Sequence, residues 1–356
     1  MFFDLTILLP LIISFVITVI ATPLAIKLIK KFNLMDDPKR KHPGIIHNKP
    51  IPRGGGLPIF VGVLVASLVF LPISKLTILI FLASFISLAI GLLDDKYDIS
   101  PYIRFFVNIV CAVLIIIAGV NIPFITNPLG GILFFSSLKL PLLPSISNYI
   151  SYIIVLVWIV WVMNMLNWSK GVDGQMPGIV AISSVVIGLL SLRFPIVDPQ
   201  SLIAAKLSFI IAGSTLGFLL FNFYPARIFP GYSATSIYLL LAVVSILSSA
   251  KLATAILVMG VPMMDGIFVV LRRLMSGHSP FWHDKRHLHH LLLSMGLSQR
   301  YIALSYWIFS AILGSLALIL SSKGKAFAII MLLILVFGGI LFLQFLINRE
   351  NGKTSV

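Results

Sequence analysis

The sequence predicts an all-α protein: a polytopic transmembrane helical bundle of about eleven spans, with its N-terminus outside and its polar loops cytoplasmic. Three observations carry that expectation. Hydrophobic residues make up 59% of the chain and charged residues 10%, with a mean hydropathy of +1.09, so 356 residues hold too little polar side chain to cover a soluble globule. Long apolar runs recur without the strict alternation of barrel strands, as helices crossing a hydrocarbon core of about 30 Å require. If the runs alternate in direction, about 19 of the 26 Lys and Arg fall on one side, which the positive-inside bias makes cytoplasmic.

The runs fall at roughly 6–29, 57–72, 76–93, 101–120, 150–164, 177–192, 202–221, 233–248, 251–270, 300–320 and 326–347. Asp4 precedes the first run and lysines only follow it, the reverse of a signal peptide's charge order, so it reads as a retained span. Asn121 to Asn148 is broken by Pro123, Pro128, Gly130, Gly131, Pro141 and Pro144 and reads as an irregular or short hairpin connection. Residues 1–348 read as one integral-membrane domain and 349–356 as a short cytoplasmic tail. Cys111 stands alone within an apolar run, which excludes a disulfide framework and a CxxC metal site. The net charge of +15 fits the positive-inside bias and attraction to anionic lipid or phosphorylated substrate, and no nucleic-acid partner is expected.

The chemistry-bearing residues are segregated. All seven histidines (His42, His47, His278, His283, His287, His289, His290) and every acid except Asp4 and Asp198 lie on or beside the cytoplasmic side. Five loops there are therefore expected to converge. The first contains His47-Asn48-Lys49 and ends Pro52-Arg53-Gly54-Gly55-Gly56. It is either a solvated basic loop or one whose glycines let backbone approach a ligand, or offer amides to phosphate, beside Lys49 and Arg53. The second, Asp94-Asp95-Lys96-Tyr97-Asp98, places Asp94 and Asp98 on one face of a helix end. Acids beside a membrane segment are a functional-site hypothesis by default, and adjacent carboxylates suit a hard cation such as Mg²⁺; a charge cluster marking the membrane boundary is the bland alternative. In the third, Asn164 and Asn167 share a helical face before Gly171, Gly174 and Pro177 break the helix; they bind a ligand or pack helices. The fourth, Asn222 to Thr235, is a proline-punctuated turn with Arg227 as its one cation. The fifth carries a turn at Pro262 to Asp265, then Arg272, Arg273 and the cluster His287-Leu288-His289-His290. With no partnering cysteine, no HExxH and cationic neighbours, the histidines favour phosphate over zinc.

Together these loops resemble, from about residue 30 to 295, the polyprenyl-phosphate N-acetylhexosamine-1-phosphate transferases, glycosyltransferases of the family 4 type. That family includes the undecaprenyl-phosphate N-acetylglucosamine-1-phosphate and phospho-N-acetylmuramoyl-pentapeptide transferases. His47 to Gly56 is similar to H-x-K-x-x-P-x-x-G-G, Asp94 and Asp95 to the Asp-Asp motif, Asn164 to Gly174 to N-x-x-N-L-x-D-G-L-D-G, Asn222 to Gly231 to N-x-x-P-A-x-x-F-x-G, and His287, His289 and His290 to H-x-H-H. The resemblance implies transfer of a sugar-1-phosphate from a UDP-sugar to a polyprenyl phosphate, with release of UMP, at the cytoplasmic face of a bacterial or archaeal-type plasma membrane, initiating a lipid-linked cell-envelope glycan. It implies Mg²⁺, with Mn²⁺ as a substitute, and is compatible with a homodimer. Asp94, Asp95 and Asp98 would be catalytic; Asp94, Asp95 and Asp173 would hold the metal. Lys49, Arg104, Asn164, Asn167, Lys170, Asp173, Asn222, His287, His289 and His290 would bind substrates.

Two departures from the pattern change its charge. Lys170 stands where the first Asp of D-G-L-D-G is expected, and Tyr232 replaces the Asp of the following G-D-x-G-S turn, where Ala234 and Thr235 also differ. Two anions are lost and one cation is gained. Either Lys170 supplies part of the charge a metal otherwise would, with Mg²⁺ held by fewer protein ligands, or the chain is a catalytically impaired scaffold that keeps its binding. A transporter, the third alternative, would need ionisable groups near the bilayer midplane and inverted repeats, neither of which the sequence shows.

Overall fold

The structure, a computed structural model, describes residues 5–38, 49–127, 130–135, 147–193, 199–247, 252–282 and 284–353. Asp4, His42, His47, Asn48, Asp198 and His283 lie outside them.

Every apolar run is helical. The first eight are α1 (Leu5–Lys31), α2 (Gly56–Phe70), α3 (Lys75–Tyr97), α4 (Pro101–Ile117), α5 (Ser147–Trp168), α6 (Gln175–Ser191), α7 (Pro199–Asn222) and α8 (Thr235–Leu247). The run expected at 251–270 is two helices, α9 (Leu252–Val258) and α10 (Gly260–Met275), meeting at an 86° bend. A short α11 (Leu288–Ser294) forms inside the histidine loop, before α12 (Gln299–Ile319) and α13 (Ser322–Lys353). By length and composition, α1, α3, α5, α7, α12 and α13 can each cross a membrane, as can the bent pair if counted as one span. The helices at Gly56–Phe70, Pro101–Ile117, Gln175–Ser191 and Tyr232–Leu247 are equally apolar but shorter. The chain is thus a multi-pass membrane protein.

Helix α8 is the axis. Every residue from Thr235 to Leu247 is buried, as expected of a helix that is apolar all round; it packs against α3, α5 and α7. At the periphery, only 11% of the apolar window of α13 and 22% of that of α1 is buried, leaving their outer faces to lipid. Helix α1 seats on α7 through Gly213 and Gly217, where an added Cβ would run into the backbone carbonyls of Leu11 and Phe15. Small residues four apart let membrane helices approach closely.

Two ribbons join the helices. β1 (Met35–Asp36) pairs antiparallel with β2 (Ile51–Pro52), in the register Met35↔Pro52. β3 (Phe124–Thr126) pairs with β4 (Ile132–Phe134) within the proline-rich connection, as a hairpin. The Pro262–Asp265 segment, expected as a turn, lies instead in the opening turns of α10, where a proline in the first turn forfeits no helical hydrogen bond.

The polar loops gather at one end of the bundle. The C-terminal ends of α1, α3, α5, α7 and α10 meet the N-terminal ends of α2, α4, α6, α8 and α12, tied by the contacts described below.

Candidate active site

The site begins with backbone pairing between loops far apart in sequence. Arg53 bridges Phe229, whose N–H donates to the Pro52 carbonyl at 2.8 Å. The N–H groups of Gly54 and Gly55 donate to the Phe229 carbonyl at 3.3 and 3.0 Å, and that of Gly56 to Pro230 at 3.2 Å. The three glycines therefore spend their amides on another loop rather than on a phosphate. Gly91 of α3 serves the same assembly: a Cβ there would strike the Ser233 backbone.

This pairing aims Arg53 at all three aspartates of the α3 terminus. Its Nε lies 2.9 Å from Asp95 Oδ1, Nη2 3.6 Å from Asp94 Oδ2 and Nη1 3.6 Å from Asp98 Oδ1. Asp98 reaches this position as the left-handed cap of α3 (φ 51°), its N–H on the Asp94 carbonyl at 2.9 Å; a short polar side chain tolerates that conformation. Asp95 also accepts the N–H groups of Tyr232 at 2.6 Å and Ser233 at 3.1 Å. Gly231 (φ +69°) permits the turn, since a Cβ there would meet the Asp95 carboxylate. Asp94 is held by Arg104 Nη1, 3.2 Å from Oδ1 and 3.3 Å from Oδ2. Asp94 and Asp95 are buried completely or nearly so.

The open cleft lies above this buried layer. Arg53, Arg104, Lys170 and Arg273 line it with Asn164, Asn167, Trp168, Tyr232, His287, His289 and His290; its carboxylates are Asp36 and Asp284. The Tyr232 ring carries Arg104 4.9 Å and Lys170 5.8 Å from its centroid, cations on a π face, while its hydroxyl accepts from Asn108 Nδ2 at 3.3 Å. Burial, followed by the charge of Arg53, pulls the Lys170 ammonium down to about 7.

The far wall is a histidine clamp. Asp265 of α10 accepts His287 Nδ1 at 2.8 Å and the Leu288 N–H at 2.9 Å, fixing the ring so that Nε2 faces Arg273 Nη2 at 3.5 Å. Burial pushes Asp284 up, but the Arg273 and Arg272 guanidiniums outweigh it and hold this carboxylate below its usual range. Burial and the neighbouring His287 pull His290 down to about 4, and burial holds His289 well below the usual imidazole value. Both ring nitrogens of buried His289 and the Oδ1 of Asn167 lack a hydrogen-bond partner within the protein, a costly arrangement unless a ligand meets them.

Residues 77–249 match the sequence model of glycosyl transferase family 4. An undecaprenyl-phosphate alpha-N-acetylglucosaminyl 1-phosphate transferase of Haemophilus influenzae is 30% identical over 320 residues, covering 86% of this chain and 83% of the relative. The chain belongs to glycosyl transferase family 4. Among other family 4 relatives, a probable undecaprenyl-phosphate N-acetylglucosaminyl 1-phosphate transferase of Bacillus subtilis is 29% identical (91% and 88% covered). A decaprenyl-phosphate N-acetylglucosaminephosphotransferase of Mycobacterium leprae is 28% identical (94% and 89% covered).

Of the residues that the family 4 motifs nominate, Arg104, Asn164, Asn167, Lys170, His287, His289 and His290 come together on the cleft. Asp94 and Asp95 lie beneath it. Asp173 and Asn222 stand off its lining and brace the floor: Asp173 Oδ2 accepts the Ala226 N–H at 2.9 Å, and Asn222 joins the Gly174 N–H to the Ile228 carbonyl. Lys49 is exposed, off the lining. Sequence reading understated Arg53 and missed Asn108 and Gln299, whose Oε1 accepts the Asp173 N–H at 3.1 Å. An arginine in a basic loop and a carboxamide on an apolar helix carry no distinguishing signal.

The donor set does not fit the divalent cation that the resemblance implies. Asp94 and Asp95 are turned onto guanidinium and amide donors, and Asp173 bonds the Ala226 backbone. No group of three His, Cys, Asp or Glu converges as a metal site among the described residues. Mg²⁺ takes carboxylate, phosphate and water oxygens, whereas the cleft above these aspartates presents cations.

Proposed function

We propose that the chain transfers a sugar-1-phosphate, with N-acetylhexosamine-1-phosphate the first choice, from a UDP-sugar to a polyprenyl phosphate and releases UMP. The observation that carries this is one cleft lined by four basic side chains, the unpartnered ring nitrogens of His289 and carboxamide oxygen of Asn167, and an oriented histidine, at one end of a membrane bundle. It suits two phosphorylated substrates, one arriving from water and one from the bilayer. The relatives named above support the same chemistry.

A phosphate monoester has its second pKa near 6, so the acceptor is dianionic at neutral pH and no base need deprotonate it. One of its oxygens attacks the sugar-linked phosphorus, a new P–O bond forms, the bridging P–O bond breaks, and its electron pair leaves on the UMP phosphate. Catalysis of such a transfer is positioning and charge stabilisation. In this reading Arg53, Arg104 and Lys170 face the reacting phosphates, and Asp94, Asp95 and Asp98 act through Arg53. His287, His289, Arg273 and Asn167 bind the remaining polar groups of the nucleotide or sugar.

In this reading the chain makes eleven passes, which the alternating convergence of helix ends supports, with the N-terminus outside and the cleft on the cytoplasmic face of the plasma membrane, which the Lys and Arg excess on the cleft side supports. Purified protein in lipid nanodiscs, given UDP-N-acetylglucosamine and undecaprenyl phosphate, is expected to release UMP in step with a lipid-linked sugar diphosphate. Absence of UMP with every UDP-sugar tried would overturn the assignment.

A further inference from the structure

Resting on that assignment, we propose that this chain binds and neutralises its phosphates without a divalent cation. Side chains hold the metal's place: the Arg53 guanidinium, gripped by three aspartates, and Arg104 and Lys170, seated on the Tyr232 ring.

Four observations converge on this. First, one guanidinium already spans the aspartate cluster at 2.9 to 3.6 Å, and Asp95 is further engaged by two backbone amides. A cation ligated there would have to displace Arg53 and break those bonds. Second, the layers are inverted relative to a metal site: Asp94 and Asp95 lie sealed beneath, while Arg53, Arg104 and Lys170 face the cleft. A divalent ion approaching from the cleft meets like charge; a phosphate meets donors. Third, the two departures that change the charge of the sequence pattern, Lys170 and Tyr232, touch each other. Lys170 Nζ sits over the Tyr232 ring, and Arg104 sits over the same ring. An aromatic face attracts a cation without adding a formal negative charge, so Tyr232 orients Arg104 and Lys170 without neutralising either, and Arg104 in addition holds Asp94. Fourth, Asp284, a carboxylate on the lining, is pinned by Arg272 and Arg273 and so is committed elsewhere. Metal-free positioning also fits the transfer, since the electron pair departing on UMP needs a fixed cationic partner and no proton or oxidant.

The test uses full-length protein in detergent, stripped with EDTA and verified free of metal by elemental analysis. UDP-N-acetylglucosamine and a short-chain polyprenyl phosphate are titrated separately, with EDTA or with Mg²⁺, and UMP release is followed in parallel. Wild-type affinity for the phosphate ligands is expected to agree within about twofold between the two conditions, an energy well below that of one charged hydrogen bond. Lys170→Arg should retain binding in EDTA. Lys170→Asp should lose about tenfold or more in EDTA, and whichever ligand suffers the loss identifies the phosphate that Lys170 meets. The double variant Lys170→Asp, Tyr232→Asp should recover binding only with Mg²⁺. Loss of wild-type binding and turnover in EDTA, both restored by Mg²⁺, would overturn the metal-free centre while leaving the transferase assignment intact. Failure of both ligands to bind in either condition would also overturn it. Metal-indifferent binding with no UMP release in either condition would support the metal-free centre and sink the transferase assignment. The wild-type comparison requires no variant to fold.

Discussion

Replacing Arg53 by glutamine tests the arrangement at its centre. The side chain is 13% exposed and faces two fully buried carboxylates. At 3.6 Å and an effective dielectric constant near 20, each such attraction is worth about 5 kcal/mol before desolvation. Removing one partner of a buried pair typically costs about 3 to 5 kcal/mol, because the other charge stays buried. Arg104 still holds Asp94, and two amides still hold Asp95, so the lower end, about 3 kcal/mol, is expected. Arg53→Gln should therefore unfold earlier in a thermal or denaturant series in detergent. Adding Asp95→Asn removes the orphaned charge and should recover part of the loss, a coupling that a double-mutant cycle measures directly. With the guanidinium gone, three carboxylates face one vacated position, so the single variant should gain thermal stability from Mg²⁺ or Ca²⁺ while the wild type does not. A double variant no more stable than Arg53→Gln alone, combined with equal metal response in variant and wild type, would refute the clamp.

Other outcomes follow from the same geometry. Burial and then the charge of Arg53 pull Lys170 down to about 7, where it faces Arg53, Arg104, Asp94 and Asp95. A bound diphosphate raises that value, so affinity for UDP-N-acetylglucosamine, whose phosphates do not titrate near neutrality, should level off below pH 7 and fall as pH rises above it; Lys170→Arg should abolish the slope in a calorimetric titration. Asp265→Ala leaves His287 Nδ1 and the Leu288 N–H unpaired and should cost about 1 to 3 kcal/mol of stability while weakening UDP-sugar binding. Gly91→Val drives a side chain into the Ser233 backbone and should yield no monodisperse protein on size exclusion. Gly338→Ala, which meets nothing within 4 Å, should elute as the wild type does.

Much of this arrangement was legible in the sequence because polar residues are scarce. Eleven acids and seven histidines in an apolar chain can only gather where water or one another can satisfy them, so the five loops announced their meeting. The apolar runs likewise became helices, since without the alternation of barrel strands a helix is the spanning structure that satisfies their backbones. What stayed hidden depends on the third dimension. Asp173 and Asn222 look like ligands, yet they hold the Ala226 and Gly174 amides, because irregular turns between helices leave backbone donors that short polar side chains nearby can reach. The role of Arg53 was masked because a cation in a basic loop resembles every other cation until Phe229 fixes its direction. The 86° break between α9 and α10 left no mark on hydropathy, which reads composition and not path.

The bond from the Gly56 amide to the Ser233 hydroxyl joins residues 177 apart in sequence, and beside it Arg53 bridges Phe229. A ribosome inserting this chain delivers the first loop long before its partner. Until the residues leading into α8 emerge, Asp95 has neither the Tyr232 amide nor the Ser233 amide, and Arg53 has no strand to steady it. A product truncated ahead of residue 229 therefore carries every aspartate of the cluster but no organised anion receptor. The cleft is complete only after the central helix has threaded into the bundle and the later loop with Arg273, His287, His289 and His290 has followed it.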